Sequence, residues 1–410
     1  MLTRRSAITT AAAVAAAASL GSPARAADKT LKIGINLSFT GADATSATRV
    51  ANGAIMAIDE ANAKNDIKGY KFEAVKYDDG TATAGQYDPA QAATNARKMV
   101  SDKDTVAAIG PQMSGAGKAM APILSAGNLA TITPSSTNPD ITDPKFAQQY
   151  RPAGKAIYFR TVTTDAFQGP NMANYFADKL KVKTVYVLDD SGAYGVGLAD
   201  AFQGQAEKKG IKILGRDRLD PKAADYAAVL TKIKALAPDA MYYGGVGQAG
   251  TKLAKQSYEI IPSVIKAGGD GVYGPEMLTA VGFPAVEGWY ATIASPHLTE
   301  DNKLTKWVAA YKAKFGVPPE DYSITSYDGA LVIIAAVRKV AASGKPVNRD
   351  TVRDAIQSDK VSTLQGDVSF DANGDLQSKV VSVFQIHKND TKPLDDIDGQ
   401  YKYIGVAPQA

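Results

Sequence analysis

Short runs of β-branched and aliphatic residues alternate with longer amphipathic stretches along most of this 410-residue chain. Strands separated by helical segments predict parallel sheets with helices on both faces. In the first part of the chain the pattern predicts alternating strands and helices at Leu31–Leu37, Ser46–Ala63, Tyr70–Tyr77, Ala90–Val100, Thr105–Gly110, Ser114–Ala126 and Leu129–Thr133. We therefore expect a doubly wound α/β unit here.

The pattern then restarts, which predicts a second unit of the same kind. Its predicted strands and helices are Ile157–Val162, Gly169–Leu180, Thr184–Asp189, Gly197–Lys209, Ile211–Leu214, Ala224–Leu236, Asp239–Gly244 and Gln248–Tyr258. Residues 299–357 are predicted to be mostly helical, Ser378–Ile386 is a late strand, and the polar tail after Lys388 is expected to be loosely ordered. A chain of this length is too long for one ordinary core, so two lobes are expected.

The first 26 residues have the pattern of a secretory signal peptide. Arg4 and Arg5 precede an uncharged apolar run, Ala7–Leu20, and Ala24-Arg25-Ala26 supplies a small-residue cleavage site. The apolar run is shorter than the roughly 20 residues that a membrane-spanning helix needs. We expect export, with twin-arginine export as the alternative to the general route, and a mature chain that begins near Ala27.

The cysteine content and the net charge limit the cellular compartment and the binding partners that we expect for this protein. The chain contains no cysteine, so it has no disulfide, no thiol nucleophile, no cysteine-ligated metal and no cysteine for a lipid anchor. An exported protein without an anchor is retained by a cell that has an outer membrane, which points to a Gram-negative periplasm. Without the predicted leader and its three arginines the net charge is about +1, so neither nucleic acid nor an anionic membrane is an expected partner.

Enzyme signatures are weak. The two histidines, His297 and His387, lie ninety residues apart, and neither belongs to an H-E-x-x-H metal motif. No G-x-S-x-G elbow occurs, and the glycine-rich stretches Gly110–Lys118 and Gly244–Lys252 do not satisfy the phosphate-loop pattern. We expect no enzymatic activity, no cofactor and no metal, with an exported hydrolase as the remote alternative.

Small polar residues follow the ends of two neighbouring predicted strands. Ser114 follows Thr105–Gly110, and a loop containing Ser135 and Thr137 follows Leu129–Thr133. Ligands of open α/β sheets bind beyond the carboxyl ends of strands, where hydroxyls and helix N-termini can hold a carboxylate. The alternative is that these hydroxyls only cap helices. Glu276 comes after a predicted short strand and a Gly-Pro turn, where it either meets a ligand ammonium or is a solvated loop acid.

The same stretches resemble the leucine/isoleucine/valine-binding family of type I periplasmic receptors, over nearly the whole mature chain. The similar segments are Lys32–Gly34, Thr40-Gly41, Val75–Asp79, Ile109-Gly110 with Ser114, Ile132–Thr137, Arg160-Thr161, Asp165–Pro170, Tyr194–Leu198, Tyr242–Gly245, Gly274–Glu276 and Glu287-Gly288. The resemblance implies a receptor that delivers an amino-acid-like ligand to an inner-membrane ABC permease, and a monomer. It also implies two lobes, 27–163 with 295–378 and 164–294 with 379–410, joined by a multi-strand hinge.

The resemblance also implies roles for individual residues. Ser114 and Thr137 correspond to the hydroxyls that bind the ligand carboxylate, and Ser135 to a backbone contact. Tyr194 corresponds to a tyrosine of the second lobe, and Glu276 to the carboxylate that binds the ammonium.

Four further positions of the family's pocket concern the ligand's side chain. Tyr322 keeps an aromatic ring, whereas Ser46, Val246 and Gln112 replace aromatic or apolar residues. We expect a roomier and more polar pocket than that of a leucine receptor. An aromatic carboxylate, an amide or an ω-amino acid are the alternative ligands, and Glu276 favours a ligand that carries a cation.

Overall fold

A computed structural model describes residues 28–298 and 302–410, so the predicted leader at 1–26 lies outside the described residues. The amino-terminal part folds into β1 (Lys29–Leu37), α1 (Ala44–Lys64), β2 (Tyr70–Asp78), β3 (Gly80–Thr81), β4 (Gln86–Tyr87), α2 (Pro89–Ser101), β5 (Thr105–Ile109), α3 (Ser114–Ala126), β6 (Thr131–Thr133), α4 (Ala147–Tyr150) and β7 (Tyr158–Arg160).

The middle and carboxyl-terminal parts supply the remaining elements. The middle part contains α5 (Asp165–Tyr175), β8 (Thr184–Asp189), α6 (Ala193–Lys208), β9 (Lys212–Arg218), α7 (Ala227–Leu236), β10 (Ala240–Gly244), α8 (Gly247–Ile260), β11 (Ile265–Gly268) and β12 (Tyr290–Ile293). The last part contains α9 (Asn302–Phe315), α10 (Asp321–Ala342), α11 (Arg349–Ser358), β13 (Val361–Thr363), β14 (Gly366–Val368), β15 (Ser382–Ile386), α12 (Ile397–Gln400) and β16 (Tyr401–Val406).

The first sheet has five strands in the order β2-β1-β5-β6-β7, and all of its neighbouring strands are parallel. Strand β5 is buried at all five positions, as expected for a parallel strand that is covered on both faces. Helix α10, from the last part of the chain, packs against α1 and contacts β5 and β6. The first sheet is therefore completed by helices that come much later in the sequence.

The second sheet has seven strands in the order β16-β15-β12-β11-β10-β8-β9. Its strands are parallel from β9 to β12, and β15 and β16 add an antiparallel edge. The chain passes between the two sheets after β7, after β12 and before β15. The prediction of two doubly wound α/β units is confirmed, whereas the exact lobe boundaries stay predictions.

The sequence analysis was wrong at two places in the second sheet. It did not predict β11 or β12, and it expected the tail after Lys388 to be loosely ordered, although that tail forms α12 and β16. Tyr401 at the start of β16 is buried, and its hydroxyl donates to the carbonyl oxygen of Val272 at 2.8 Å. Burial alternates with exposure along β16, because only one face of this edge strand is covered. The exposed positions make the segment as polar as a loop, which is why the sequence analysis did not predict a strand there.

Candidate functional site: a cavity between the two sheets

Loops that follow strand ends in both sheets surround a cavity with about 570 Å³ of empty space, including its open mouth. The loops after β1, β5 and β6 contribute from the first sheet, those after β8, β10 and β11 from the second, and α10 adds one side chain. The lining residues are Asp43, Ser46, Gln112, Met113, Ser114, Ser135, Tyr194, Val246, Gly247, Asp270, Gly271, Tyr273, Gly274, Glu276, Met277 and Tyr322. This is where parallel α/β sheets bind their ligands.

Most of the site residues predicted from the sequence line this cavity. Ser46, Gln112, Ser114, Ser135, Tyr194, Val246, Glu276 and Tyr322 all line the cavity, although they are spread over 276 positions of the sequence between the first and the last. Their individual roles in binding stay predictions.

Thr137 is the predicted residue that does not line the cavity. It is fully buried, and its carbonyl oxygen accepts a hydrogen bond of 2.9 Å from the backbone N–H of Asp165. Its hydroxyl faces the Asp165 carboxyl group and lowers the pKa of that group. Thr137 therefore lies behind the wall of the cavity, beside Asp165.

Hydrogen-bond donors lie on the first-sheet side of the cavity. Ser114 is the first residue of α3, and its hydroxyl does not cap that helix. Instead, the Ser114 hydroxyl oxygen accepts a hydrogen bond of 3.2 Å from the backbone N–H of Asn138. The Ser135 hydroxyl donates to the carbonyl oxygen of Gln112 at 3.1 Å. Hydroxyls beside the N-terminus of a 13-residue helix suit a carboxylate.

A carboxylate lies on the second-sheet side, at Asp270. Strand β11 ends at Gly268, so Asp270 follows the strand almost directly and begins a short 3₁₀ turn. Its carboxylate accepts hydrogen bonds from the Tyr194 hydroxyl, from the Tyr322 hydroxyl at 2.5 Å, and from the Gln168 amide at 3.1 Å. Tyr322 belongs to α10, which packs on the first sheet, so this group of side chains joins both sides of the cavity.

The electrostatics of this group favour a single negative charge. Burial and the charge of Asp270 raise the pKa of the Tyr194 and Tyr322 hydroxyls well above the ordinary tyrosine value, so both stay protonated donors. Burial and the Asp270 charge raise the pKa of nearby Asp165 well above the ordinary value, against the opposing effect of the Thr137 hydroxyl. Burial also raises the pKa of Asp270, but three hydrogen-bond donors oppose that shift. These donors favour the negative charge on Asp270 over Asp165.

Glu276 lies in a different group of hydrogen bonds. Its Oε1 accepts from the backbone N–H of Ser46, near the start of α1, at 2.8 Å. The sequence analysis placed Glu276 just past a short strand, but the nearest strand, β11, ends eight residues earlier, at Gly268. The prediction of a strand directly before Glu276 is therefore wrong, because residues 270–272 form a 3₁₀ turn. The carboxylate that contacts Tyr194 is that of Asp270.

Further acceptors gather around Ser46. Its hydroxyl donates to Glu320 Oε1 at 2.5 Å and accepts from the Gln112 amide at 3.3 Å. Burial, and then the neighbouring Glu276 charge, raise the pKa of Glu320 to about 8. Burial and the same neighbour raise the pKa of Asp43 to about 7, although the backbone N–H of Gly247 donates to its carboxylate.

Hydrogen bonds join the two halves across the cavity. Besides the Ser46–Glu276 and Tyr322–Asp270 hydrogen bonds, the Asn138 amide donates to the Ala193 carbonyl oxygen at 2.8 Å. The Gln248 amide donates to the carbonyl oxygen of Ala84 at 3.2 Å. Loops of both sheets are therefore held together around the cavity.

The sequence analysis missed Asp270 as a site residue and gave Asp43 no role. The signal for Asp270 was present in Gly268-Gly269-Asp270-Gly271, where a lone acid among glycines follows a four-residue strand. Gly271 is required there, because a Cβ at this position would lie 2.1 Å from the carbonyl oxygen of Gly245. Close packing of the loops after β10 and β11 thus fixes Asp270 on the wall.

Comparison with known proteins identifies the family. A family profile described as "Periplasmic binding protein" matches residues 30–391. The chain belongs to the periplasmic binding protein family. It is 31% identical over 357 residues to the Leu/Ile/Val-binding protein BraC3 of Rhizobium johnstonii. The aligned region covers 87% of this chain and 91% of that protein. The predicted family and the predicted role as a solute-binding protein of an ABC transporter are confirmed.

Solved structures agree with this fold. The crystal structure of the leucine binding protein LivK from Thermotoga maritima matches with a TM-score of 0.77 and 25% identity, over 92% of this chain and 98% of that one. A solute binding protein of an ABC transporter from R. palustris, solved with benzoate, matches with a TM-score of 0.75 over 93% of this chain and 97% of that one. At 18% identity the second match shows the fold alone.

Neither a membrane-spanning helix nor a metal-binding cluster is found among the described residues. Within residues 28–298 and 302–410, no helix is both long and apolar enough to cross a membrane. In the same ranges, no group of three or more acidic or histidine side chains is arranged to hold a metal ion.

Proposed function

We propose that this protein binds a free amino acid in the cavity and delivers it to an ABC permease. The observation that carries the proposal is the pairing of Asp270, with its two tyrosine donors, against hydroxyls at the start of α3. An amino acid carries one cation and one anion on neighbouring atoms. Donors on one side and a carboxylate on the other are what such a head group needs.

In this proposal the ligand carboxylate is bound by Ser114, by the loop at Ser135 and by the N-terminus of α3. Asp270, held by Tyr194 and Tyr322, accepts the ammonium. This reassigns the ammonium contact from Glu276 to Asp270, because Asp270 is the acid that contacts Tyr194.

Closure couples binding to delivery. The two sides of the cavity contact each other through side chains of both sheets, so a ligand that touches both sides stabilises the closed form over an open one. No covalent step is needed. The permease then binds the closed form of the receptor and takes up the ligand as the receptor releases it.

An aromatic carboxylate is the second candidate, since the benzoate complex from R. palustris has this fold. Such a ligand has no cation for Asp270 and would bury its own negative charge beside it, which costs free energy. Asp270 therefore favours the amino acid.

The test is calorimetry and thermal shift on protein that has been unfolded, dialysed and refolded to remove retained ligand. The ligands are a panel of amino acids, the des-amino analogue of each one that binds, and benzoate. We expect at least one amino acid to stabilise the protein by a few kcal/mol at a large excess over Kd. Binding of benzoate or of a des-amino analogue as tight as that of every amino acid would contradict the proposal.

We also propose that the protein is exported and that its mature chain begins near Ala27. The support is the charged, apolar and small-residue pattern of residues 1–26. Mass spectrometry of the protein from a periplasmic extract should give a mass that lacks the first 26 residues. An intact N-terminus would contradict this.

A further inference from the structure

The part of the cavity wall around Ser46 carries acceptors that lack donors. Asp43 Oδ2 and Gln112 Oε1 have no hydrogen-bond partner in the described residues, and both residues line the cavity and are buried. Glu276 lines the same part of the wall. Glu320 lies behind Ser46: its Oε1 accepts from the Ser46 hydroxyl, and its Oε2 has no partner in the described residues. A buried acceptor without a donor loses the hydrogen bonds that it would make with water, which destabilises the ligand-free form.

The charges of the wall are also unbalanced. Three acids, Asp43, Asp270 and Glu276, line the cavity, and no Lys, Arg or His is among the described residues that line it. The guanidinium of Arg49, which lies close enough to act on Glu276, donates instead to Asp395 outside the cavity. The α-ammonium of a bound amino acid pairs with Asp270, so the two other acids have backbone N–H donors but no cation among the described residues that line the cavity.

We propose that the bound amino acid has a side chain ending in a positively charged nitrogen, which lies against Asp43, Glu276 and Gln112. The ligand class is a diamino or guanidino carboxylic acid and not a branched aliphatic amino acid. A cation with several N–H groups supplies the donors that these oxygens lack and balances the second negative charge. This inference rests on the proposed function, because it assumes an amino-acid head group at Asp270.

The rival explanation is that the two acids only hold the lobes together. Asp43 accepts from the N–H of Gly247 at the start of α8, and Glu276 accepts from the N–H of Ser46 near the start of α1, so each acid lies at a helix N-terminus across the cleft. These bonds come from backbone N–H groups, and for Glu276 the N–H groups of Thr45 and of Glu276 itself add to them. They leave Asp43 Oδ2 unpaired, and they do not involve the oxygen of Gln112.

The experiment compares ligands that differ only at the end of the side chain. Calorimetry measures the affinity of the refolded, ligand-free protein for lysine against norleucine and for ornithine against norvaline. We expect the charged member of at least one pair to bind tenfold or more tightly than the neutral one. In Asp43→Asn that ratio should fall at least tenfold, while the affinity for the neutral ligand changes less than threefold. Glu259→Gln, which removes an exposed acid of α8, is the matched control and should leave the ratio unchanged.

The outcomes separate the inference from the function on which it rests. If neutral amino acids bind as tightly as the charged ones, the inference is wrong and the proposed function stands. If Asp43→Asn weakens charged and neutral ligands by the same factor, the acids act only between the lobes, and the inference is again wrong. If no amino acid of any kind binds, the proposed function itself has failed.

Discussion

At the scale of single residues, the site is defined by which carboxylate meets which donor. Asp270 and Glu276 lie six positions apart and both line the cavity, but they contact different groups: Asp270 contacts two tyrosine hydroxyls, and Glu276 a helix N-terminus. The two acids therefore have separable roles, which substitutions with the matching amides can distinguish.

Asp270→Asn should weaken amino-acid binding by at least about thirtyfold, because the ammonium then lies against a neutral group in a closed cavity. Asparagine keeps the shape, so far-ultraviolet circular dichroism should be unchanged. Calorimetry gives the affinity, and Glu276→Gln serves as the comparison. A wild-type affinity in Asp270→Asn, with a large loss in Glu276→Gln, would show that the ammonium pairs with Glu276 instead.

Ser114→Ala should weaken binding tenfold to hundredfold, since it removes one hydrogen bond to a charged carboxylate, about 1.5–3 kcal/mol. The affinity is measured by calorimetry, and the free energy of unfolding by urea titration. An unchanged affinity combined with a lowered stability would mean that the hydroxyl only supports the backbone N–H of Asn138.

At the scale of elements, the ligand-binding loops depend on strands from distant parts of the chain. The loop after β11 is held from one side by the loop after β10 and from the other by β16, whose Tyr401 hydroxyl donates to Val272 within the turn that Asp270 begins. The Tyr401 ring also packs against that of Tyr273, at 4.6 Å between ring centroids. The last strand of the chain therefore supports the wall of the cavity.

Tyr401→Ala should lower the free energy of unfolding by about 3–5 kcal/mol, as expected for the loss of a buried aromatic side chain. Tyr401→Phe keeps the ring and loses the hydrogen bonds of the hydroxyl to the backbone of Val272 and Gly274, so it should cost less, about 1–3 kcal/mol. Both values come from urea titration. Stability like that of the wild type in the alanine variant would mean that the tail is loosely ordered, as its composition had suggested.

At the scale of the whole molecule, the described part of the chain buries many acids whose pKa lies above the ordinary value. Burial raises the pKa of Asp79, Asp190 and Asp328 to about 6, in addition to the shifts of Asp43 and Glu320 at the cavity. Each of these groups binds its proton more tightly in the folded than in the unfolded chain. The free energy of unfolding should therefore depend on pH.

The direction in which stability changes with pH follows from Glu320, whose pKa rises from 4.5 to about 8 on folding. Between those pH values the folded chain holds a proton that the unfolded chain has lost, so the stability of the ligand-free protein should fall as pH rises from about 5 to 8. Urea titrations at several pH values measure the slope. Glu320→Gln keeps the shape and removes this titration, so its slope should be shallower. A slope as steep as that of the wild type would contradict the assignment.

The sequence pattern predicts the layer architecture, because the alternation of buried strands with amphipathic helices has few other solutions. It also determined most of the cavity wall, since polar residues such as Ser114 and Ser135 directly follow strands that the pattern reveals. Residues 29–160 show this best, where each long predicted element was found.

The acid that lies beside Tyr194 depends on how distant elements pack together, which no local pattern reveals. Strand β11 has four residues, too few for a periodic pattern, so its end and hence the position of Asp270 could not be read from the sequence. The partners of Ser46 were equally hidden, because Glu276 and Glu320 are 230 and 274 positions away and meet it only when both sheets close around the cavity. Local periodicity reports burial along one element, whereas contacts between elements depend on how whole sheets pack.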